Sequence, residues 1–267
     1  MADLNEMVSK YESEGYALDY AEARVCQDII LKCIAEGSLN RNVTIKGGVV
    51  MRSITGNIRR ATQDLDLDFI RYSLDDEAIR AFIQRLNCIE GIRIEIKGKI
   101  KKLEHQDYDG KRIFLKISDD NGHSLESKLD IGVHKNIQVE QEEYCFDVCM
   151  DDDGASLLMN SKEQIFTEKL KSLLRIGIFT TRFKDIPDMC YLSEHIRLDK
   201  LRECMNVYIL DDDTMREDTM GQVIQRIQRV IYSRRFRNAF ESEERANWLG
   251  WDTDREFKTL VDFLKKI

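Results

Sequence analysis

Proline occurs once in the 267 residues, at Pro187, and the chain shows neither an internal repeat nor a low-complexity segment. Repeat and linker-dominated architectures are thereby excluded. No apolar run approaches the roughly 20 residues a membrane-spanning helix needs, so no membrane partner is expected. The opening, MADLNEMVSKYESEGY, lacks the basic and apolar regions of a signal peptide, and a cytoplasmic location is the expectation. CxxC spacing is missing too. The seven cysteines are odd in number and scattered, which suits reduced thiols rather than a disulfide framework. Cys145 and Cys149 lie near each other without the further His or Cys that a zinc site requires. The four histidines, His105, His123, His134 and His195, have neither ligand nor triad spacing, and none is assigned a role. Basic surplus is also lacking: 41 Lys and Arg against 49 Asp and Glu leave a net charge of −8. A broadly basic surface that coats nucleic acid is therefore excluded, although a local basic patch is not.

What is present divides into two halves. Hydrophobic content of 42% and charged content of 34% are those of a globular protein. The segment LDYAEARVCQDIILKCIAEG reads as a helix closed by Gly37. A short strand VTIK, the glycine pair Gly47-Gly48 and a brief helix VVMRSIT ending at Gly56 follow. After a strand over DLDLDF and a helix over LDDEAIRAFIQRLNCI come strands GIRIEIKGKIKKL, KRIFLKIS and SLESKLDIGV. Asp109-Gly110 and Asn121-Gly122 are hairpin signals between them. EYCFDVCM reads as one more strand, and DDDGAS as the break. From there the pattern is helical to the end, beginning with Ser161 and Gln164 as a capping box. Pro187 falls early in the next helix, where it is tolerated. The expected architecture is an α+β domain over residues 1–155, then an all-helical domain over 156–267.

Asp64, Asp66 and Asp68 alternate with Leu65, Leu67 and Phe69. In a strand this puts the three carboxylates on one face, about 6.6 Å apart, where they repel unless positive charge intervenes. One reading is an edge strand with a solvated acidic face. An EF-hand loop does not fit, because Phe69 stands where that loop needs glycine. A fourth carboxylate favours a metal. Leu125, Leu129, Ile131 and Val133 keep an apolar phase that puts Asp130 on the polar face. A sheet that brought Asp130 beside Asp64 and Asp66 could hold two Mg²⁺ ions roughly 4 Å apart for in-line phosphoryl transfer. Gly47 and Gly48, between strand and helix, would let backbone N–H groups approach a phosphate.

Together, KGGVVMR and RATQDLDLDF resemble motifs of the AbiEii/AbiGii-type toxins, a branch of the polymerase-beta-like nucleotidyltransferases that includes the MenT-type toxins. EKL within SKEQIFTEKLKSLLRIG and TRFKDIPDMCYL extend the likeness, which covers roughly residues 41 to 192. The resemblance implies a mixed sheet flanked by helices and transfer of a nucleotide from an NTP with release of pyrophosphate, using Mg²⁺ or Mn²⁺. It implies that Asp64 and Asp66 hold the metal with Asp130, and that Lys169 contacts the NTP phosphates. It also makes Asp185 an active-site residue, favoured over Asp188. The chain departs from the common pattern in lacking a serine after the first glycine, so phosphate contact would rest on the backbone of Gly47 and Gly48 and on Lys46, Arg52 or Arg60. Thr62 matches a hydroxyl common in the family and otherwise reads as a β-former; Lys46 equally reads as a strand-end charge. Asp68 lies beyond the pair and reads best as a solvated acid.

On a helical wheel Lys169 falls inside the apolar arc of Ile165, Phe166, Leu170, Leu173 and Leu174. Its ammonium then needs an anion or a path to water, and a methionine in its place is expected to leave the packing intact. Asp185 and Asp188 share a helical face and also suit a helix N-terminus. With metal carboxylates in one half and Lys169 in the other, NTP binding is expected to need both.

The acceptor is less legible. RVIYSRRFRNAF interleaves Arg229, Arg234, Arg235 and Arg237 with Tyr232, Phe236 and Phe240, which suits a nucleic-acid surface and equally an ordinary amphipathic helix. Trp248 and Trp251 read as core. Several members of the resembled family modify tRNA 3′ ends, so RNA is the expected acceptor and a cognate antitoxin the expected partner. A transferase acting on a small molecule or a protein, and a module that binds nucleotide without chemistry, are the alternatives.

Overall fold

A computed structural model describes residues 2–103, 110–243 and 246–267. The chain forms two compact units, Met1–Asn160 and Ser161–Ile267. In the first, helices α1 (Leu4–Ser13) and α2 (Leu18–Glu36) precede strand β1 (Val43–Lys46) and helix α3 (Gly47–Thr55). Strand β2 (Leu65–Phe69) and helix α4 (Asp76–Arg85) follow, then strands β3 (Ile92–Lys102), β4 (Lys111–Asp119), β5 (Ser124–Val133), β6 (Glu142–Val148) and β7 (Asp151–Met159).

The seven strands make one mixed sheet in the order β3-β4-β5-β2-β1-β7-β6. β2 runs parallel to β5 and β1 parallel to β7, while the other neighbours are antiparallel. Alternation along each strand sorts the residues into two faces. Ile45, Leu65, Leu67, Phe69, Ile113, Leu115, Leu129 and Ile131 are fully buried on one of them. α2, α3 and α4 pack against these strands. Thr44, Lys46, Asp66, Asp68, Arg112, Lys128 and Asp130 hold the opposite phase.

The segment DDDGAS is not a break. It opens β7, because Ala155, Leu157 and Met159 supply buried positions and Leu158 and Met159 pair with β1 at the sheet's centre. The sheet unit therefore runs to residue 160. Asn121-Gly122 does turn between β4 and β5, with Gly122 at φ +88°; the hairpin signal at Asp109 lies outside the described residues, as does His105.

The second unit is helical throughout: α5 (Lys162–Ile176), α6 (Asp185–Leu192), α7 (Leu198–Met205), α8 (Met220–Ile231), α9 (Arg234–Ser242) and α10 (Thr253–Leu264). Ser161 caps α5 by accepting from Gln164 N–H at 3.2 Å. No helix among the described residues is long and apolar enough to cross a membrane.

Candidate active site

The register of the sheet lines up four charged residues. Lys46 on β1 pairs with Asp66 on β2, Asp66 with Asp130 on β5, and Asp130 with Arg112 on β4. The row runs base, acid, acid, base across four strands, so the mutual repulsion of the two acids is offset at both ends. Arg112 grips Asp130 bidentately at 2.7 Å from both Nε and Nη2. That hydrogen bonding with Asp130 raises the guanidinium's pKa above its ordinary value. One step toward the start of β2, Asp64 meets Lys128 at 2.6 Å. Asp64 is half exposed at 47%, whereas Asp130 is buried.

Asp68 corrects the expectation of a solvated acid. It is 5% exposed, and Lys46 donates to it at 2.6 Å. A strand position beyond Asp64 and Asp66 is thus a buried ion pair, and the Lys46 ammonium expected at a phosphate points to a carboxylate. Nearby His134 is buried, and that burial lowers its pKa.

The glycine pair has a steric reason. Gly47 sits at φ +69°, and a Cβ there would lie 2.6 Å from Asp66 Oδ2. A Cβ on Gly48 would lie 2.5 Å from Thr62 Oγ1. The two missing side chains therefore leave space for Asp66 and Thr62, so strand β2 and the start of α3 approach more closely than side chains allow. Arg52, expected near a phosphate, lies inside the unit at 4% exposure, its guanidinium 3.6 Å from the fully buried Asp28. Asp28 also accepts from Tyr11 and from Cys149 N–H. Arg60, the other basic candidate, is also buried, at 3% exposure.

Among the described residues, the triad whose ligand atoms lie within 4.8 Å of one another is Asp3, Asp119 and His123. Its carboxylates are already occupied in capping: Asp3 accepts from Asn5 and Glu6 N–H, and Asp119 from Leu4 and His123 N–H. Asp64, Asp66 and Asp130 stand further apart, Asp64 and Asp130 each drawn to a base. As a donor set these three fit a hard divalent cation, since all are carboxylates, Asp66 and Asp130 pair on adjoining strands, Asp64 directly precedes β2, and Asp66 sits in the notch left by Gly47.

In the helical unit, Lys169 of α5 reaches two acids of α6, Asp185 at 2.6 Å and Asp188 at 2.8 Å. All three are buried. The apolar-arc lysine thus has its anions, one turn apart on the facing helix. Asp185 also accepts from Arg182 Nε at 3.1 Å, and Asp188 accepts from Trp248 Nε1 at 2.9 Å. Trp248 is buried as expected.

Residues 29–262 match the family described as "Nucleotidyl transferase AbiEii toxin, Type IV TA system". The chain belongs to the AbiEii family of nucleotidyltransferase toxins. It is a nucleotidyltransferase, and the AbiEii match spans both units. No curated relative matches at a significant level. Among solved structures, the chain is similar to an antigenic nucleotidyltransferase-like protein from Paracoccidioides brasiliensis, with 15% identity and a TM-score of 0.49 over 81% of this chain and 93% of that one.

Sequence reasoning missed Arg112, Lys128 and the role of Asp188. Lys128 shares the phase of Asp130 two positions on, so alternation carried a signal for it. Arg112 had none, because its pairing depends on register across the β4–β5 hairpin.

Proposed function

We propose that this AbiEii protein transfers a nucleotide from an NTP to an RNA acceptor, a tRNA 3′ end in the first instance, and is held in check by a cognate antitoxin. The observation that carries the reading is the row Lys46–Asp66–Asp130–Arg112 with Gly47 notched around Asp66. Asp64, Asp66 and Asp130 would hold the divalent cation, Mg²⁺ or Mn²⁺. When bound, it would neutralise triphosphate charge and lower the pKa of an attacking hydroxyl.

The protein's own groups do the rest. Gly47 and Gly48 open α3 with N–H groups that have no partner within the helix, which suits an anionic phosphate. Thr62 offers a hydroxyl beside Gly48. Lys46, locked to Asp68, fixes the end of β1 from which Gly47 springs. Arg112 and Lys128 restrain Asp130 and Asp64 until a cation competes for the same oxygens. Lys169, held between Asp185 and Asp188, supplies the positive group expected to offset charge on the departing pyrophosphate.

The test follows pyrophosphate release and the fate of label from each NTP with total RNA and Mg²⁺. Asp66→Asn should lower transfer by about 10³-fold or more while leaving the melting temperature near that of the native chain. Near-native transfer by Asp66→Asn refutes the carboxylate assignment; label entering protein or a small molecule refutes the RNA acceptor.

A further inference from the structure

We propose that Phe179 and Arg235 form a base-stacking platform on the helical unit that receives a single-stranded end of the RNA acceptor. The proposal rests on the RNA reading given above. Residues 177–179 form one turn of 3₁₀-helix after α5, packed against α8 and α9. The turn presents Phe179 at 64% exposure, the most exposed large apolar side chain among the described residues. The Arg235 guanidinium lies 4.3 Å from the Phe179 ring centroid. No ring of the described residues stacks on the other face, which leaves a flat π-surface flanked by a cation.

The surroundings favour a polyanion carrying planar bases. Arg229 on α8 and Arg234 on α9 are exposed and form no hydrogen bond or ion pair among the described residues. By contrast, Arg237 is held by Glu241 and Asp254. A chain with net charge −8 therefore presents unneutralised arginines on the two helices that pack against the turn carrying its most exposed ring. Guanidiniums take phosphates and the ring takes a base, with sequence tolerance because every base has a π-face. The segment continues from Phe179 through Thr180 to Arg182, which is 57% exposed and bonded to Asp185, so the platform adjoins the Lys169 cluster. Of the aromatics first offered for this role, Phe236 and Phe240 are buried against Phe183 and Phe257 and cannot stack on a base, while Tyr232 is exposed and meets Phe257 edge to face.

The experiment measures binding of a fluorescein-labelled oligoadenylate to the full chain by anisotropy over a salt series. Phe179→Leu keeps apolar bulk and removes the π-face, so affinity should fall by about tenfold or more, while Phe179→Trp should bind at least as well as the native chain. Arg234→Ala should flatten the logarithmic salt dependence by about one unit. Equal RNA affinity in Phe179→Leu and the native chain overturns the platform, as does equal loss in Phe179→Leu and Phe179→Trp. Loss of antitoxin binding by Phe179→Leu with RNA affinity intact also overturns it and assigns the surface to a protein partner. The RNA reading is judged separately, by whether the native chain labels RNA: labelled RNA with an indifferent Phe179 sinks the platform alone. Unlabelled RNA with Phe179-dependent binding sinks the acceptor reading alone.

Discussion

Gly47→Ala places one methyl group where Asp66 Oδ2 already stands and asks alanine to hold φ +69°. The left-handed conformation alone costs roughly 1–2 kcal/mol, and the clash displaces the carboxylate. A misplacement of about 1 Å at a reacting centre costs on the order of 10² in rate. Gly47→Ala should therefore lose transfer far out of proportion to its modest drop in melting temperature, as single-turnover assays and calorimetry on one preparation will show. Lys169→Met behaves in the opposite way. The expectation that methionine keeps the packing fails, because the ammonium lies between two buried carboxylates. Removing it strands both, a loss of about 3–5 kcal/mol. Lys169→Met combined with Asp185→Asn and Asp188→Asn should recover most of that stability and still transfer at about 10⁻² of the native rate or below. Native transfer by the triple variant rules Lys169 out of the chemistry.

At the scale of elements, α10 carries a group that sets a pH dependence. Glu256 is fully buried against α6, and neither carboxylate oxygen has a hydrogen-bond partner among the described residues. Burial first, then the nearby Asp252 charge, pushes its pKa up to about 8. An unfolded glutamate titrates near 4.3. Between these values the folded chain holds a proton that the unfolded chain has released, so stability falls as pH rises. The contribution is full below about pH 4.3 and gone above about pH 8. Glu256→Gln should remove this slope and exceed the native chain in stability above pH 8 by on the order of 5 kcal/mol. Urea titrations from pH 5 to 9, a window about the size of the shift, check it. Parallel native and Glu256→Gln stability curves would show that Glu256 finds a partner in solution. The element α5 offers a simpler case: Ser161→Ala loses the cap on Gln164 N–H and should cost about 1 kcal/mol.

For the whole molecule, the AbiEii match runs across both units, and the candidate groups are divided between them. Asp64, Asp66 and Asp130 belong to the sheet unit and Lys169 and Asp185 to the helical unit. Residues 1–160 and 161–267 prepared as separate chains should each be without transfer activity when assayed with labelled NTP and RNA. Transfer by residues 1–160 alone would remove the helical unit from the reaction.

Local pattern was enough for much of this protein. Strict alternation determined that Asp66 and Asp68 share a face of β2, with Asp64 in the same phase just before it. The apolar arc determined that Lys169 faces inward, and Ser161 with Gln164 determined where α5 starts. These follow from periods of 2 and 3.6 residues, which a sequence displays directly. Which charges meet was decided only by the tertiary structure. Arg112 and Asp130 are joined by the β4–β5 register, Lys46 and Asp68 by the antiparallel pairing of β1 with β2, and Arg52 and Asp28 by the packing of α3 near α2. Asp68 illustrates the difference: its face was legible, but its burial was not, because a neighbouring strand supplied the lysine that makes burial tolerable. Phe236, a stacking candidate in the sequence, is covered and Phe179 is exposed for a similar reason. Helical phase shows that an aromatic lies on an apolar face, while only the fold decides which ring is covered by other helices and which is left facing water.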